Sequence, residues 1–294
     1  MSSAARLRLR ELLDSQQCVT CASVFDPLSS RMADEIGFQV GILGGSVASL
    51  MSLGVPDIYL LTLSELAEQA RRVCQASDLP VIVDGDNGYG NALNVMRTVA
   101  ELEHAGAAVI TIEDTVIPRP YKQPELNLSS IEEGCSKLQA ALNARKDANL
   151  AIFARTHAHQ PHRNLLERMD AYSRSGVDGI CIFGQISRAL LVQLNRVTDL
   201  PLMLIDYEAS GLSSGSGLSS EELMQLGVRI HFNGHRAYED SVKATYQSLL
   251  QLHNGRESRG RTDNDQNAKQ LIGRFARQQS FTAMSNDYLD PVAR

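Results

Sequence analysis

Short apolar runs alternate with longer amphipathic segments along most of this chain. Eight runs have strand length and are rich in β-branched and aliphatic residues. They are VTCASVFD (19–26), FQVGILGG (38–45), VIVDGD (81–86), VITIED (109–114), LAIFART (150–156), DGICIFG (178–184), LMLIDYE (202–208) and VRIHFNG (228–234). Eight alternations of strand and helix over roughly 230 residues predict the α/β class, as a (β/α)8 TIM barrel with a C-terminal helical extension. A doubly wound open sheet is the alternative, because one sequence does not give the order of the strands.

Helical periodicity between the runs is clearest in four segments. They are residues 63–75, 92–106, 131–145 and 164–176. In the last of these, Leu165, Met169 and Tyr172 follow one apolar stripe. Arg168 and Arg174 fall mostly off that stripe, so we expect them on the polar face of the helix.

Length and composition predict one large catalytic domain, residues 1–252. A chain of 294 residues with 43% hydrophobic content can bury a substantial core. The net charge of −6 argues against nucleic acid as a partner. No apolar stretch approaches the ~18 residues that span a bilayer, and residues 1–15 read as an amphipathic helix rather than a signal peptide. We therefore expect a cytoplasmic enzyme that does not cross a membrane.

The C-terminal part of the chain has a different character. Residues 253–270 form a polar, charged linker, and residues 271–289 have the pattern of one short amphipathic helix. Leu271, Phe275 and Phe281 on such a helix need a partner surface, either on the barrel or on a second subunit. This pattern predicts a homo-oligomer.

Four acidic side chains lie where two successive apolar runs end: Asp84, Asp86, Glu113 and Asp114. Carboxylates crowded at the ends of adjacent buried strands repel one another unless a cation or a proton holds them together. A hard divalent ion such as Mg²⁺ suits oxygen ligands of this kind. The alternative is that Asp84 and Asp86 form a turn and cap the next helix.

In a (β/α)8 barrel, residues at the carboxyl ends of all the strands meet at one mouth. The strand ends here supply acids for a cation, an arginine for an anion, glycines that let a ligand approach the backbone, and an imidazole. They are Asp26, Gly44, Gly45, Ser46, Asp84, Asp86, Glu113, Asp114, Arg155, Gly184, Asp206, Tyr207, Glu208, Asn233 and His235. Such a set fits a small anionic substrate chelated to a metal.

Two other groups of residues raise metal hypotheses of a different kind. Cys18 and Cys21 form a C-x-x-C, but residues three apart on a strand point to opposite faces, so we expect all five cysteines to be reduced and mostly buried. His157 and His159 form an H-x-H that could hold a transition metal, as in a barrel hydrolase. Their polar neighbours and the hard oxygen groups nearby favour two loop histidines instead.

The most specific motifs resemble those of the isocitrate lyase and phosphoenolpyruvate mutase superfamily. The motifs are GILGGSVASLMSLGVPD (41–57), VDGDNGYGNALNVMRTV (83–99), IEDT (112–115) and ARTHA (154–158). The resemblance covers residues 10–250. GGSVAS (44–49) and NGHRAY (233–238) are most similar to the oxaloacetate decarboxylase branch.

The resemblance implies a metal site with Mg²⁺ as the cofactor and Mn²⁺ as a possible substitute. Asp84 matches the carboxylate nearest the ion. Asp57, Asp86 and Glu113 match positions that hold the waters of the ion. Relatives also exchange C-terminal helices between subunits, which implies a tetramer arranged as a dimer of dimers.

The resemblance also implies the groups that meet the substrate, a small dicarboxylic 2-oxo acid. Arg155 matches the arginine that pairs with substrate oxygens. Gly45 and Ser46 match the donors to its 1-carboxylate. His235 matches a histidine that faces the substrate in the decarboxylase branch. His235 or Tyr207 could supply or orient the proton that completes the reaction.

Two departures from the superfamily favour decarboxylation over other reactions. The loop at 115–130 lacks the Lys-Lys-Cys-Gly-His stretch of isocitrate and methylisocitrate lyases, and Gly184 and Gln185 stand where those lyases have a glutamate. Converting oxaloacetate, or a 3-alkyl analogue, to pyruvate and CO₂ does not need those groups. The alternatives are a lyase or hydrolase of another 2-oxo or 2-hydroxy diacid, and a non-catalytic protein that binds metal and dicarboxylate. The long loop, with Arg119 and Lys122, is expected to close as a lid.

Overall fold

The computed structural model describes residues 2–118, 122, 127–205, 217–254 and 263–288. Within these residues the strands pair in parallel in a single sheet. The strands are β1 (Val19–Thr20), β2 (Ala22–Ser23), β3 (Gly41–Leu43), β4 (Val81–Asp84), β5 (Val109–Glu113), β6 (Ala151–His157), β7 (Gly179–Phe183), β8 (Leu202–Ile205) and β9 (Val228–Phe232). Their spatial order is β1-β9-β8-β7-β6-β5-β4-β3-β2.

The sheet closes through the first apolar run, which is divided between β1 and β2. Val19 in β1 pairs with Ile230 in β9, and Ala22 in β2 pairs with Gly41 in β3. Between them, the Cys21 N–H donates to the His231 carbonyl at 2.8 Å. The run that contains β1 and β2 therefore joins β9 to β3 and closes the sheet. The predicted (β/α)8 barrel is confirmed, and the open sheet is excluded.

Helices follow the strands as the periodicity predicts, and the four clearest predictions agree with the structure to within three residues. The helices are α1 (Ser2–Asp14), α2 (Pro27–Ile36), α3 (Gly45–Leu53), α4 (Leu63–Cys74), α5 (Ala92–Ala105), α6 (Ile131–Ala144), α7 (His162–Ser173), α8 (Arg188–Leu194), α9 (Ser220–Gln225), α10 (Arg236–His253), α11 (Asp263–Phe275) and α12 (Gln278–Tyr288). Their ends carry ordinary signals. Thr62 and Asn91 form capping boxes at the starts of α4 and α5, and Gly106 ends α5 with φ 105°.

Helix α1 packs across the amino-terminal end of the barrel. Its Leu9, Leu12 and Leu13 are buried in the same core cluster as interior strand residues. Arg10 donates to the carbonyls of Ala148, Asn149 and Leu150, just before β6. Because α1 lies at this end, the carboxyl ends of the strands form the other, functional end of the barrel.

The chain divides into two compact units, Met1–Arg236 and Ala237–Arg294. The first holds the barrel, and the second holds α10, α11 and α12 apart from the first residue of α10. Of the predicted linker, 255–262 lies outside the described residues, but α11 begins at Asp263, inside it. Polarity alone predicted a linker there, although Ala, Lys and Gln in this segment favour a helix. The proposed domain boundary after residue 252 stays a prediction.

The helices can also be compared with the length and hydropathy that a membrane-spanning segment needs. None of the helices in the described ranges combines the length and the hydropathy that crossing a bilayer requires.

Candidate active site

Three of the acids predicted at the strand ends, Asp84, Asp86 and Glu113, lie together at the mouth of the barrel. Asp84 is the last residue of β4, Glu113 is the last residue of β5, and Glu113 pairs in register with Arg155 in β6. Asp84 and Glu113 are 8% and 3% exposed, so both carboxyls are removed from bulk water. The adjacent strands β4, β5 and β6 thus place two carboxyl groups and one guanidinium cation in the same small space.

Gly45, the first residue of α3, lies at the centre of the acids. A Cβ atom built on Gly45 would stand 3.4 Å from Asp57 Oδ2, 3.5 Å from Asp84 Oδ2 and 3.5 Å from Asp86 Oδ1. Three carboxylate oxygens therefore surround one point that the missing side chain leaves open. The Gly45 N–H also points to Asp84 Oδ2, at 3.4 Å.

Arg155 partly neutralises this group of acids. Its Nη1 lies 2.5 Å from Asp84 Oδ2, and its Nε lies 3.3 Å from Glu113 Oε2. The Phe183 ring lies 5.3 Å from the guanidinium carbon, so the cation is held between carboxylates and an aromatic face. Arg155 is thereby fixed beside Asp84 and Glu113 at the mouth of the barrel.

The acids differ in pKa because their surroundings differ. Burial opposes ionisation of Asp84, but Arg155 and backbone N–H donors outweigh it and lower the pKa of this carboxyl. Burial, reinforced by Asp84 and Glu113, raises the pKa of Asp86. Burial and the neighbouring acids raise the pKa of Glu113 to about 7, against the opposing effect of Arg155. Glu113 is therefore partly protonated near neutral pH, and a divalent cation would displace its proton.

These residues fit a hard divalent cation such as Mg²⁺. Glu113 Oε1 is buried without a hydrogen-bond partner, and the three other carboxylates share the space around Gly45. Within the described ranges, no three His, Cys, Asp or Glu side chains are arranged as direct ligands of one ion.

Two of the predicted strand-end acids have other partners. Asp26 is the N-cap of α2, and its Oδ1 accepts the Ser29 N–H at 2.7 Å. Asp114 points away from Glu113, and its Oδ2 lies 3.0 Å from Arg168. This separation follows from the alternation of side chains along β5 and past its end. The capping alternative fails for Asp84 and Asp86, because Asn91 caps α5.

His235 lies directly against Gly44, the residue before Gly45. Its Nδ1 is 2.7 Å from Ser23 Oγ, and its ring packs edge-on against Phe232 with centroids 5.0 Å apart. A Cβ on Gly44 would stand 2.9 Å from the imidazole, so a glycine is needed for this approach. Burial lowers the pKa of His235 to about 4, although Asp84 opposes the shift. The imidazole is therefore neutral at neutral pH.

The remaining predicted site residues are only partly described. Ser46 follows Gly45 in the first turn of α3 and is half-buried, near the backbone N–H groups at the helix start. Tyr207 lies outside the described residues, as do Asp206, Glu208 and Arg119. The lid hypothesis falls partly on such residues and stays a prediction.

Three residues near the acids were not predicted. Thr111 Oγ1 donates to Asp84 Oδ1 at 3.3 Å, and the pKa values of Tyr59 and Tyr89 are raised by burial and by nearby acids that include Asp86. Thr111 could have been found, because it lies two residues before Glu113 and faces the same way. The tyrosines lie in loops, where the sequence gives no such register.

Among the described residues, neither the C-x-x-C nor the H-x-H forms a group that could hold a metal ion. His157 is the last residue of β6, so the expectation that both histidines lie in a loop was wrong for His157. His157 packs edge-on against Phe183, and burial lowers its pKa to about 4. His159 is exposed. All five cysteines are free, and Cys21, Cys74 and Cys181 are buried, as expected.

Comparison with known proteins agrees with this geometry. A family model for phosphoenolpyruvate phosphomutase matches residues 9–253. Oxaloacetate decarboxylase from Ectopseudomonas mendocina (strain ymp) is 46% identical over 286 residues, covering 97% of this chain and 95% of that protein. Oxaloacetate decarboxylase from Pseudomonas fluorescens (strain SBW25) is 46% identical over 289 residues, covering 98% of this chain and 97% of that protein.

Among solved structures, phosphonopyruvate hydrolase in complex with oxalate and Mg²⁺ superposes with a TM-score of 0.81. It is 26% identical, and the match covers 97% of this chain and 99% of that chain. The family match spans well over half of the chain, and the curated relatives cover nearly all of it. This chain belongs to the phosphoenolpyruvate phosphomutase family, within the isocitrate lyase superfamily.

Proposed function

We propose that this protein is an oxaloacetate decarboxylase that uses Mg²⁺ to convert oxaloacetate, or a close 3-alkyl analogue, to pyruvate and CO₂. The observation that carries the proposal is the group of three carboxylate oxygens around Gly45, with Arg155 beside it. The curated relatives that share 46% of their sequence with this chain are oxaloacetate decarboxylases, which supports this reaction.

In this proposal, Asp84 binds nearest the ion, and Asp57, Asp86 and Glu113 hold its waters. Bound Mg²⁺, or Mn²⁺ in its place, would act as a Lewis acid that stabilises the negative charge left on the substrate when CO₂ departs. The backbones of Asp84 and Glu113 are fixed as the last residues of β4 and β5, and the Asp86 carbonyl is fixed by the Glu113 N–H at 2.8 Å. Gly45 leaves open the space that ion, water and substrate would share.

The substrate carboxylate would bind between the start of α3 and Arg155. Gly45 and Ser46 offer backbone N–H groups at a helix N-terminus and one hydroxyl, which are good donors to an anion. Arg155 adds a fixed positive charge that pairs with a second substrate oxygen. These contacts would hold the bond to the departing carboxylate in one orientation.

When the C3–C4 bond of oxaloacetate breaks, its electron pair stays with the substrate as an enolate, and one proton at C3 then gives pyruvate. His235 is neutral, and its Nδ1 contacts the Ser23 hydroxyl at 2.7 Å. With its proton on Nε2, which lies next to Gly44, the ring would donate a hydrogen bond to a group bound there. His235 or Tyr207 would orient the donor of that proton, which can be water.

The test is a coupled pyruvate assay on the purified protein with oxaloacetate, with and without a chelator. We expect the chelator to abolish turnover above the uncatalysed rate, and Mg²⁺ or Mn²⁺ to restore it. Asp84→Ala should lower kcat/KM by about 100-fold or more, since it removes metal-based stabilisation worth several kcal/mol. Turnover that survives both the chelator and Asp84→Ala would refute the metal chemistry.

The same assay separates the alternatives. A panel of 2-oxo and 2-hydroxy diacids, with product analysis, distinguishes a lyase or hydrolase from a decarboxylase, because only decarboxylation yields CO₂ and a monoacid. Metal binding without turnover of any panel member would identify a non-catalytic binding protein. His235→Gln, compared with wild type, tests the histidine separately from the metal.

We also infer that the enzyme works in the cytoplasm as a homotetramer. Five free cysteines, three of them buried, suit a reducing compartment. Helix α10 carries Val242, Tyr246, Leu249 and Leu250 as exposed apolar side chains at helical spacing, which suits burial against another subunit. Size-exclusion chromatography with light scattering should give the mass of four chains, and a stable monomer would contradict this inference.

A further inference from the structure

A buried group of polar side chains lies behind the acids, between the barrel wall and helices α6 and α7. Arg168 and Tyr172, one turn apart on α7, both contact the Asp114 carboxylate. Arg168 Nη1 lies 3.0 Å from Asp114 Oδ2, and the Tyr172 hydroxyl donates to the same oxygen at 2.9 Å. Arg168 also donates to the Tyr172 oxygen at 2.8 Å, which closes a ring of three contacts. We call these three residues the Asp114 clamp.

Arg168 also reaches the far end of the loop that starts at Asp114. Its Nη2 donates to the Ser129 carbonyl at 3.0 Å. The Ser129 N–H in turn donates to the Asp114 carbonyl at 2.8 Å, and Thr115 forms an antiparallel bridge with Leu128. One guanidinium thus ties together both ends of the loop that follows Glu113.

A second buried cation holds the neighbouring loop, which follows Asp84 and carries Asp86. Lys137 on α6 is 4% exposed, and its Nζ donates to the Asn87 carbonyl at 3.2 Å. The Asn87 side chain donates to the Ile117 carbonyl at 3.2 Å, so the two acid-bearing loops are also joined to each other.

The clamp is coupled to the mouth through a single peptide unit. Asp114 directly follows Glu113, whose N–H donates to the Asp86 carbonyl at 2.8 Å. Any shift of Asp114 toward the helices therefore moves Glu113 relative to Asp86. A buried ion pair of this kind contributes little net stability compared with apolar side chains of the same volume. Unlike apolar side chains, however, the pair fixes the position of the Asp114 carboxylate.

We propose that Arg168 and Lys137 are positioning residues for the metal-binding acids. Each cation sits on an outer helix. Arg168 holds Asp114, the residue after Glu113, and Lys137 holds Asn87, the residue after Asp86. The proposal rests on the proposed function in that it takes these carboxylates to bind a divalent cation. Neither cation is placed in contact with the substrate.

The experiment measures the affinity for Mn²⁺ by calorimetry, and by the paramagnetic signal of free Mn²⁺, in the absence of substrate. The variants are Arg168→Met, Lys137→Met and Tyr172→Phe. The matched control is Arg6→Met. Arg6 is also a buried arginine with one carboxylate partner, Asp147 at 2.7 Å, and with carbonyl partners, but it lies at the opposite end of the barrel.

We expect Arg168→Met and Lys137→Met to weaken Mn²⁺ binding by roughly 10- to 100-fold, the range typical of residues that orient metal ligands. Tyr172→Phe, which removes one hydroxyl and preserves packing, should weaken it by about two- to fivefold. Arg6→Met should lower thermal stability and leave Mn²⁺ affinity unchanged. The apparent Mn²⁺ requirement for turnover should rise in the same order as the dissociation constant.

Arg168→Met leaves the Asp114 carboxylate buried without its cation. The double variant Arg168→Met/Asp114→Asn is therefore also measured, because it removes both charges and avoids that penalty. Weakened Mn²⁺ binding in this double variant and in Tyr172→Phe supports the proposal. Mn²⁺ affinity equal to wild type in both, with only stability changed, overturns it. A wild-type protein that binds no Mn²⁺ refutes the proposed function instead, so the two failures are distinct.

Discussion

At the scale of single residues, the absent side chain of Gly45 is as informative as the acids around it. Gly45 opens α3 without a positive φ, so an alanine fits its backbone. We predict that Gly45→Ala folds normally but binds Mg²⁺ at least about 10-fold more weakly, because the new methyl group occupies the space among three carboxylate oxygens. Calorimetric titration measures the affinity, and a thermal melt in chelator is the control. Unchanged affinity would show that the ion lies elsewhere.

A second prediction concerns the support of His235. Ser23→Ala removes the hydroxyl that contacts Nδ1 at 2.7 Å and so removes one restraint on the orientation of the imidazole. We predict a fall in kcat of about 10-fold with little change in the Mg²⁺ requirement, since an orienting group acts on the step that follows metal binding. Steady-state kinetics at varied Mg²⁺ separate the two effects. A rise in the Mg²⁺ requirement at constant kcat would contradict the assignment.

The positions of side chains that pair with a residue far away in the sequence could not be predicted. Asp84, Glu113 and Arg155 could be, because each ends or continues an apolar strand whose direction is known. Arg168 was expected on the polar face of its helix, but it is 7% exposed and buried beside Asp114. The expectation was wrong because periodicity treats every arginine as a surface residue, and a buried ion pair across about 50 residues of chain leaves no local pattern.

At the scale of elements, the packing of α6 against α7 depends on Gly134. A Cβ on Gly134 would collide with the Tyr172 hydroxyl of the Asp114 clamp. Helix propensity favours alanine by about 1 kcal/mol, but we predict that Gly134→Ala lowers the free energy of unfolding by about 1–3 kcal/mol, because the overpacked tyrosine must move. Urea denaturation measures this change.

The matched control combines Gly134→Ala with Tyr172→Phe, which removes the atom nearest the new methyl group. The double variant should recover part of the lost stability, giving a favourable coupling between the two substitutions. Purely additive effects would mean that the tyrosine is not the obstacle.

Element boundaries could be predicted where period and caps agree, as for α4 and α5. The pattern failed in the C-terminal unit, where the described residues form α11 and α12 instead of one helix. Few apolar residues mark the start of α11, so periodicity had little signal there. The division of the first run into β1 and β2 was also not predicted. It arises because one part of the run pairs with β9 and the other with β3, and the sequence does not give this pairing.

For the whole molecule, the acids couple stability to pH and to the metal. The pKa of Glu113 is raised from its usual 4.5 to about 7, so the metal-free folded state binds more protons than the unfolded state between these values. Without metal, this group therefore makes stability fall as pH rises from about 4.5 through 7. Asp86 acts in the same sense. The pKa of Asp84 is lowered, so this group makes stability fall as pH decreases below the usual pKa of an aspartate.

We predict that saturating Mg²⁺ raises the melting temperature more at pH 8 than at pH 5.5, by roughly 3–5 °C, because the ion need not displace protons at the higher pH. Differential scanning fluorimetry at both pH values, with Ca²⁺-free buffer and added chelator as the reference, gives the comparison. Glu113→Gln should reduce the difference. An equal increment at both pH values would contradict this coupling.

The barrel closes where the Cys21 N–H donates to the His231 carbonyl, and this closure has a consequence for biosynthesis. The carbonyl of His231 emerges from the ribosome roughly 210 residues later than Cys21, which takes about 10–40 s at ordinary rates of translation. During that interval β1 and the most recently made strand present unpaired edges to other nascent chains. Co-translational chaperones would have to shield those edges until β9 is made, and codon changes that slow translation shortly before β9 should increase aggregation of newly made protein.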